Sequence, residues 1–440
     1  MSLLADWLDA RRTFPGGLYL PDDKGRTARR PIRPLPLCGP LRVPLQRAAD
    51  LPTRIGVRAG QRVAAGELLA EPAAPDSLPV HAPTAGQIQA LTRAWLPRDG
   101  WLPAADLAPD RPADWHAAPL GAAPAPARTL EELRQASVFE PLWHRPLHAV
   151  LAQAGAARAD HLVISAVETE PLLTADLRTL IEDQARIVQT IEQLAGLIEP
   201  RPARVSLAVC VRHRRVVREL RARVAHGAVR VVALNDKFPQ DHPRLLSHVV
   251  ARRRVPAIGS PLDAKVCVLS LAAVRAAADA VCDGRPSVSR VVTLAGDAVG
   301  EPENYLVPFG TPAQLLARAI ARSAVTLVAG GLMTGVARTR RRGGRVGRLR
   351  RTERAVERRA RGATPCVHCG WCIEDCPVGI DPVALFPLDL VPQIDARRAR
   401  EARSCIQCGL CSYVCPAALP LAESLARTAV RLAWPPGESR

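Results

Sequence analysis

The chain has 440 residues, 48% of them hydrophobic, so it is too long for one core and too apolar for a disordered protein, and three or four domains are expected. No uncharged apolar run reaches the length of a membrane span; the nearest approach, Val266 to Val281, is interrupted by Arg275 and Asp279. The formal net charge of +18 would suit nucleic acid, but it is nearly all arginine, with Lys24, Lys237 and Lys265 the only lysines, and with the abundant alanine and proline it reads as a genomic base-composition bias rather than a nucleic-acid interface.

Residues 1–35 read as an N-terminal extension. MSLLADWLDARR lacks the apolar core and cleavage site of a signal peptide, so disulfides are not expected. From 36 to 97, short alternating apolar runs broken by Gly60, Gly66 and Gly86 predict a compact all-β unit with tight turns. This unit resembles the barrel-sandwich fold of biotinyl and lipoyl domains. With no lysine between Lys24 and Lys237 to carry a swinging arm, it reads as a scaffold or docking module. Residues 98–128, rich in Pro, Ala and Asp, read as a linker. Thr129 with Glu132 makes a capping box that opens an α/β domain over 129–285, where apolar strands such as RVSLAVCV and VRVVAL alternate with helical stretches. The loops at the carboxyl ends of those strands are the expected binding edge. Residues 286–335 read strand–turn–strand, followed by a helix begun at Thr311-Pro312, as in a small β-grasp unit. Residues 336–362 form an arginine-dense run with Glu353 and Glu357 its only acids. That run reads as a solvated linker or as a surface for acidic partners or anionic lipid; it has no aromatic residue on which a base could stack.

Residues 363–440 carry the chemistry. CVHCGWCIEDCP, Cys366 to Pro377, is followed by CIQCGLCSYVCP, Cys405 to Pro416, each spaced as the bacterial ferredoxin pattern for [4Fe–4S] clusters. Three closely spaced cysteines reach three irons of a cubane, and in two-cluster ferredoxins the fourth ligand comes from the other block. One cluster is therefore expected on Cys366, Cys369, Cys372 and Cys415, and the other on Cys405, Cys408, Cys411 and Cys376. Gly370 and Gly409 would let the backbone pass close to inorganic sulfide. Zinc ribbons use two cysteine pairs rather than two quartets. Two oxidised clusters would subtract about 4 charges, leaving roughly +14. Cys38, Cys210, Cys267 and Cys282 read as ordinary buried thiols. His144 and His148 could be a metal pair on a helix, but a surface or core pair is the plainer reading.

The order of these parts resembles the RnfC-type subunit of the Rnf electron-transport complex. FPGGLYLPDDK, HAPTAGQI, ETEPLLTADLR, NDKFPQ, VTLAGDAVGEPENYLVPFGTP, GGLMTG and both cysteine blocks carry the resemblance. It implies a multidomain α/β and all-β protein: a barrel-sandwich hybrid domain, a Rossmann-like α/β domain, a β-grasp (SLBB-like) unit and an α-helical ferredoxin-type domain. It also implies a subunit peripheral to the cytoplasmic face of the inner membrane. Such a subunit passes electrons between NADH and a ferredoxin-like protein through FMN and two clusters, with membrane subunits as partners. Membrane contact would be indirect or through the basic surface. Glu168 and Glu170 match the family's carboxylates near flavin and nucleotide; their plainer reading is as caps of the next helix. The family's GGAGFPT-type phosphate loop has no counterpart: ASVFEPLWHRPLHAVLAQAG puts Phe139, Leu142, Trp143 and His144 where small residues belong, and Asp241 stands where the family has glycine. The expectation is a relay with working clusters and a degenerate flavin–NADH site. An intact FMN-dependent dehydrogenase with a rebuilt loop is the alternative, and a non-redox protein with structural clusters a second.

Overall fold

The computed structural model describes residues 12–96, 99–117, 126–296, 299–312, 327–338, 363–391 and 393–433. Two small sheets form the first unit. Strands β2 (Leu41–Pro44), β4 (Arg62–Val63), β7 (Gly86–Leu96) and β8 (Gly100–Pro109) make one, in the order β2-β8-β7-β4. Strands β3 (Thr53–Ile55), β5 (Leu68–Pro72) and β6 (Val80–His81) make the other. Their inward residues, among them Leu41, Leu69, Ile88 and Leu107, share one core with Trp115.

This corrects the boundary drawn from sequence. Gly100–Pro109 is a strand of the barrel, paired antiparallel with β7 from Trp95↔Trp101 to Gly86↔Pro109, rather than part of a linker over 98–128. Pro103, Pro109 and the nearby aspartates disguise it, yet Leu102, Ala104, Ala105 and Leu107 are buried. Trp115 then plugs the barrel, its Nε1 donating to the Leu35 carbonyl at 2.8 Å.

Strands β11 (His161–Ala166), β12 (Arg204–Cys210), β13 (Val229–Leu234) and β14 (Val266–Ser270) form an all-parallel sheet in the order β13-β12-β11-β14. Both faces are covered, which is why RVSLAVC is apolar almost throughout instead of alternating. The order reverses between β11 and β14, so the crevice at their carboxyl ends is the switch point where such sheets bind ligands. The capping box is present: Thr129 Oγ1 accepts from Glu132 N at 3.1 Å, and the Glu132 carboxylate accepts from Thr129 N at 2.9 Å.

Strands β15 (Ser289–Leu294) and β16 (Glu303–Pro308) pair antiparallel, and β1 (Ile32–Pro34) adds to β16 in parallel. The described part of the N-terminal extension is therefore structural. Buried Asn304 fastens it, donating to Thr27 O at 3.0 Å while accepting from Thr174 and Thr293 hydroxyls. The helix expected after Thr311-Pro312 and nearly all of the arginine run lie outside the described residues; Val336–Arg338, where that run was drawn to begin, is a strand paired with Leu327–Ala329.

The last unit is helical. Helices Pro382–Leu385, Ala396–Ser404 and Leu421–Ala433 are joined by a small core of Ile380, Leu385, Leu388, Ala402 and Leu425. Asp381 and Asp395 cap the first two, accepting from Val383 N at 3.0 Å and Arg398 N at 2.9 Å.

Candidate functional site

The two cysteine blocks fold alike. Gly370 and Gly409, at φ +81° and +83°, each precede a short helix, Trp371–Glu374 and Leu410–Val414. The glycines serve this left-handed turn: a Cβ at Gly370 would meet open space. His368 N donates to Cys366 Sγ at 3.4 Å, and Gln407 N donates to Cys405 Sγ at 3.4 Å. Amides aimed at sulfur favour the thiolate over the thiol.

The blocks line two cavities. Cys366, Cys369, Cys372 and Cys415 border one, together with Val383 and Ala417. Cys376, Cys405, Cys408 and Cys411 border the other, walled by Ile380, Ile406 and Leu425. The last cysteine of each block thus turns away from its own triplet toward the other. Burial pushes Cys372 up to about 11, with Asp381, Cys415 and Cys369 adding to the rise. Burial likewise pushes Cys408 to about 12 and raises Cys405 and Cys411; Cys376 repels each of these three. Thiols held neutral this way must lose protons to bind metal.

Among the described residues, no three His, Cys, Asp or Glu side chains converge on a point that could hold a single metal ion. Two thiol quartets, each bordering one cavity with apolar neighbours, are a donor set that a cubane would fit.

The second cavity adjoins a cleft of about 1020 Å³ at the carboxyl edge of the parallel sheet. Trp143, Glu170, Asp241 and Arg244 line it from the α/β side, and Cys405 and Cys408 from the other. The loop that stands in place of a glycine-rich motif carries full side chains, with Leu142 exposed toward the cleft and Trp143 half-buried. Trp143 lies between the cores on the two faces of the sheet, and its Nε1 donates to Val268 O in β14 at 2.7 Å. Glu140 is fully buried and accepts from Leu142 N and Ser270 N, both at 2.8 Å; burial pushes its carboxyl up to about 7 against those amides.

The Glu168 carboxylate accepts from Leu177 N at 2.9 Å at the start of helix Ala175–Glu182, and Lys24 donates to the Glu168 carbonyl. Glu170 instead receives Met333 N at 2.9 Å, Thr334 N at 3.1 Å and the Thr334 hydroxyl at 2.6 Å. Glu168 is thus a helix cap, as its plainer reading held, and Glu170 caps the GGLMTG loop. Asp241, bonded to Thr169, is pushed up to about 6 by burial, with Glu170 adding to the rise. A pyrophosphate in the cleft would meet these acids.

Two smaller expectations are corrected. His144 and His148 do not share a helix: His144 sits before it at φ +51°, its Nε2 3.3 Å from Asp99 Oδ1, while His148 lies in helix Leu147–Ala156. Pro146 sets the break between them. Cys38 is exposed, its Sγ 3.9 Å from Pro36 O, whereas Cys210 and Cys267 are buried and burial raises both to about 12.

Four contributors were not read as site residues. Gly16 packs on the backbone of Cys376, where a Cβ would come within 2.7 Å of the carbonyl. Gly17 N donates to Asp375 O at 2.9 Å, and Lys237 Nζ donates to Phe14 O at 2.9 Å. Arg244 donates to Ser404 O at 2.9 Å beside Cys405. The adjacent glycines of FPGGLYL were the available signal.

Two family models match the chain: the RnfC barrel sandwich hybrid domain over residues 12–110, and the Nuo51 FMN-binding domain over residues 144–279. A subunit of an ion-translocating oxidoreductase complex from Pseudomonas aeruginosa is 32% identical over 86% of this chain and 50% of that protein. The corresponding protein from Edwardsiella ictaluri is 30% identical over 85% of this chain and 48% of its own length. A subunit of a proton-translocating ferredoxin:NAD(+) oxidoreductase complex from Clostridium ljungdahlii is 27% identical over 85% of this chain and 84% of that protein. The chain spans about half the length of the Pseudomonas and Edwardsiella relatives.

Proposed function

From the premise that the chain is RnfC-like, we propose that it is the iron–sulfur electron-transfer subunit of an ion-translocating ferredoxin:NAD oxidoreductase complex, with its own flavin and NADH entrance closed. The observation that carries this reading is the pair of cysteine-lined cavities, one of which adjoins the cleft of the α/β domain. When bound, two [4Fe–4S] clusters supply single-electron steps. Cys366, Cys369, Cys372 and Cys415 would hold one, and Cys405, Cys408, Cys411 and Cys376 the other. Arg244 places a positive charge beside Cys405 and favours added negative charge there. Apolar walls of Ile380, Ile406 and Leu425 around the second quartet would raise the strength of such charges, whereas Cys369 leaves the first quartet open to solvent.

Trp143 and Leu142 occupy the place where a phosphate-binding loop would need bare backbone, and Asp241 and Glu170 add carboxylates to it. In this reading the three-stranded sheet around β15 and β16 is an SLBB-like unit, and residues 363–433 a ferredoxin-type domain. Partners are the other subunits of the complex and a ferredoxin-like protein, at the cytoplasmic face. No helix among the described residues is long and apolar enough to cross a membrane, which agrees with peripheral attachment through partners or the basic surface.

A second reading, an FMN-dependent NADH dehydrogenase with a rebuilt loop, is favoured by the match to the Nuo51 FMN-binding domain. EPR of anaerobically purified protein supplied with FMN separates the two. A reduced-cluster signal that needs dithionite supports the relay; the same signal raised by NADH alone overturns it.

A further inference from the structure

A further cavity, of about 320 Å³, lies where three units meet. The barrel contributes Arg47, the α/β domain Asp176 and Ala276, and the three-stranded sheet Arg290 and Phe309. The loop carrying Phe139 and Pro141 separates it from the cleft, with Pro141 bordering both.

Charge in this cavity does not balance. Arg47 is pinned in place: its Nη2 donates to Ser287 O at 2.9 Å, its Nε donates to Ser137 Oγ at 3.3 Å, and its guanidinium stands 4.3 Å from the Phe309 ring centre. Burial lowers its pKa to about 10, and among the described residues it has no carboxylate partner. Arg290 makes no hydrogen bond and no ion pair among the described residues; Asp176 is the acid close enough to act on it. Burial and repulsion from Glu168 push that acid well above the ordinary aspartate value, toward the neutral form. Arg275 at the rim is already paired with Asp279 at 2.6 Å. His81, the other basic group near Arg47, is held neutral by burial, its pKa near 4. Two guanidiniums therefore face one carboxyl that burial disfavours as an anion. Arg47 is half-buried with its donors already bonded, whereas Arg290 is solvent-accessible, lines the cavity and keeps its donors free, so an anion entering the cavity would find an unpaired guanidinium there.

We propose that this cavity binds a small organic acid, its carboxylate held bidentate by Arg290 in the field of Arg47 and its apolar body lodged against Phe139, Phe309 and Leu306. The site lies outside the cluster-lined cavities, and neither reading of the flavin site assigns it a role. A monocarboxylate suits it better than phosphate, because the walls beyond the two arginines are largely apolar.

Titration calorimetry on the full cluster-containing chain tests this with benzoate, the neutral isostere benzamide and inorganic phosphate. Benzoate should bind, benzamide should bind at least about tenfold more weakly, and Arg290→Gln should cost benzoate a similar factor. Ala276→Leu fills the cavity without touching charge and should weaken benzoate too, with the cluster absorbance unchanged; it decides the matter if Arg290→Gln does not fold. The proposal is overturned if benzoate does not bind, if it binds both variants as tightly as the parent, or if phosphate binds as tightly as benzoate.

Discussion

Replacing Cys376 with alanine tests how the two cysteine blocks share their metal. Cys376 belongs in sequence to the first block, yet it borders the cavity of the second triplet and repels Cys405, Cys408 and Cys411. Cys376→Ala should therefore cripple the cluster on the second triplet, and Cys415→Ala the cluster on the first. Each variant should lose up to about half of the bound iron, so iron content alone cannot tell them apart. Arg244 supplies the label. Burial raises Cys405, and Arg244, bonded to Ser404 O beside it, pulls it back down. Removing that charge by Arg244→Gln should lower the potential of the neighbouring cluster alone. An interaction of about 1 kcal/mol, as expected for a partly screened charge a few ångströms beyond contact, corresponds to roughly 40 mV for one electron. In EPR-monitored redox titrations the shift should persist in Cys415→Ala and vanish in Cys376→Ala. If it persists in Cys376→Ala and vanishes in Cys415→Ala, each block holds its own cluster and the crossed assignment is wrong.

The plugged loop makes two further predictions. Trp143→Ala removes a half-buried indole packed on two cores and its bond to Val268 O, and should cost about 3 kcal/mol in denaturant unfolding. It should not create flavin binding, measured by fluorescence quenching, because Leu142 and His144 still carry their side chains. Glu140, raised from the usual value near 4.5 to about 7, gives a pH dependence of known sign. The folded state holds the proton more tightly than the unfolded one. Its contribution is therefore fully present below pH 4.5 and is lost as pH rises through about 7, a change on the order of 3 kcal/mol. Glu140→Gln should flatten the unfolding free energy across that window; an unchanged slope would show that the carboxyl is not buried as described.

Covalent and local signals carried most of what the sequence revealed. Two blocks of four cysteines suggest their chemistry through spacing, and the fold gathers them around two cavities; Thr129 with Glu132 closes its cap within four residues. What escaped was long-range. Gly100–Pro109 looks like a linker because its prolines and aspartates mask alternation that matters only once β7 lies beside it. The N-terminal segment looks like an extension because its partners, Asn304, Phe238 and Cys376, lie hundreds of residues away. The acids split for the same reason: Glu168 caps a helix seven residues on and was legible, whereas Glu170 reaches the backbone of Met333 and Thr334 and was not.

The closest backbone contacts of the cluster unit do not run through the loop of Phe139, Leu142, Trp143 and His144. One clamp is Gly16, whose Cα lies against the Cys376 backbone so closely that a Cβ would stand 2.7 Å from the carbonyl. The other is Gly409, where a Cβ would stand 2.7 Å from Met333 O, on the loop that Glu170 holds by its amides. Each block is thus fastened by one close backbone approach, the first through the N-terminal segment and the second through GGLMTG. Neither clamp involves Phe139, Leu142, Trp143 or His144. Side chains at Phe139, Leu142, Trp143 and His144 therefore leave the position of Cys405 and Cys408 beside the cleft undisturbed. On the proposed reading, a chain built this way could lose nucleotide chemistry and still present Cys405 and Cys408 beside the cleft, which is the arrangement a relay requires and a purely structural cluster does not.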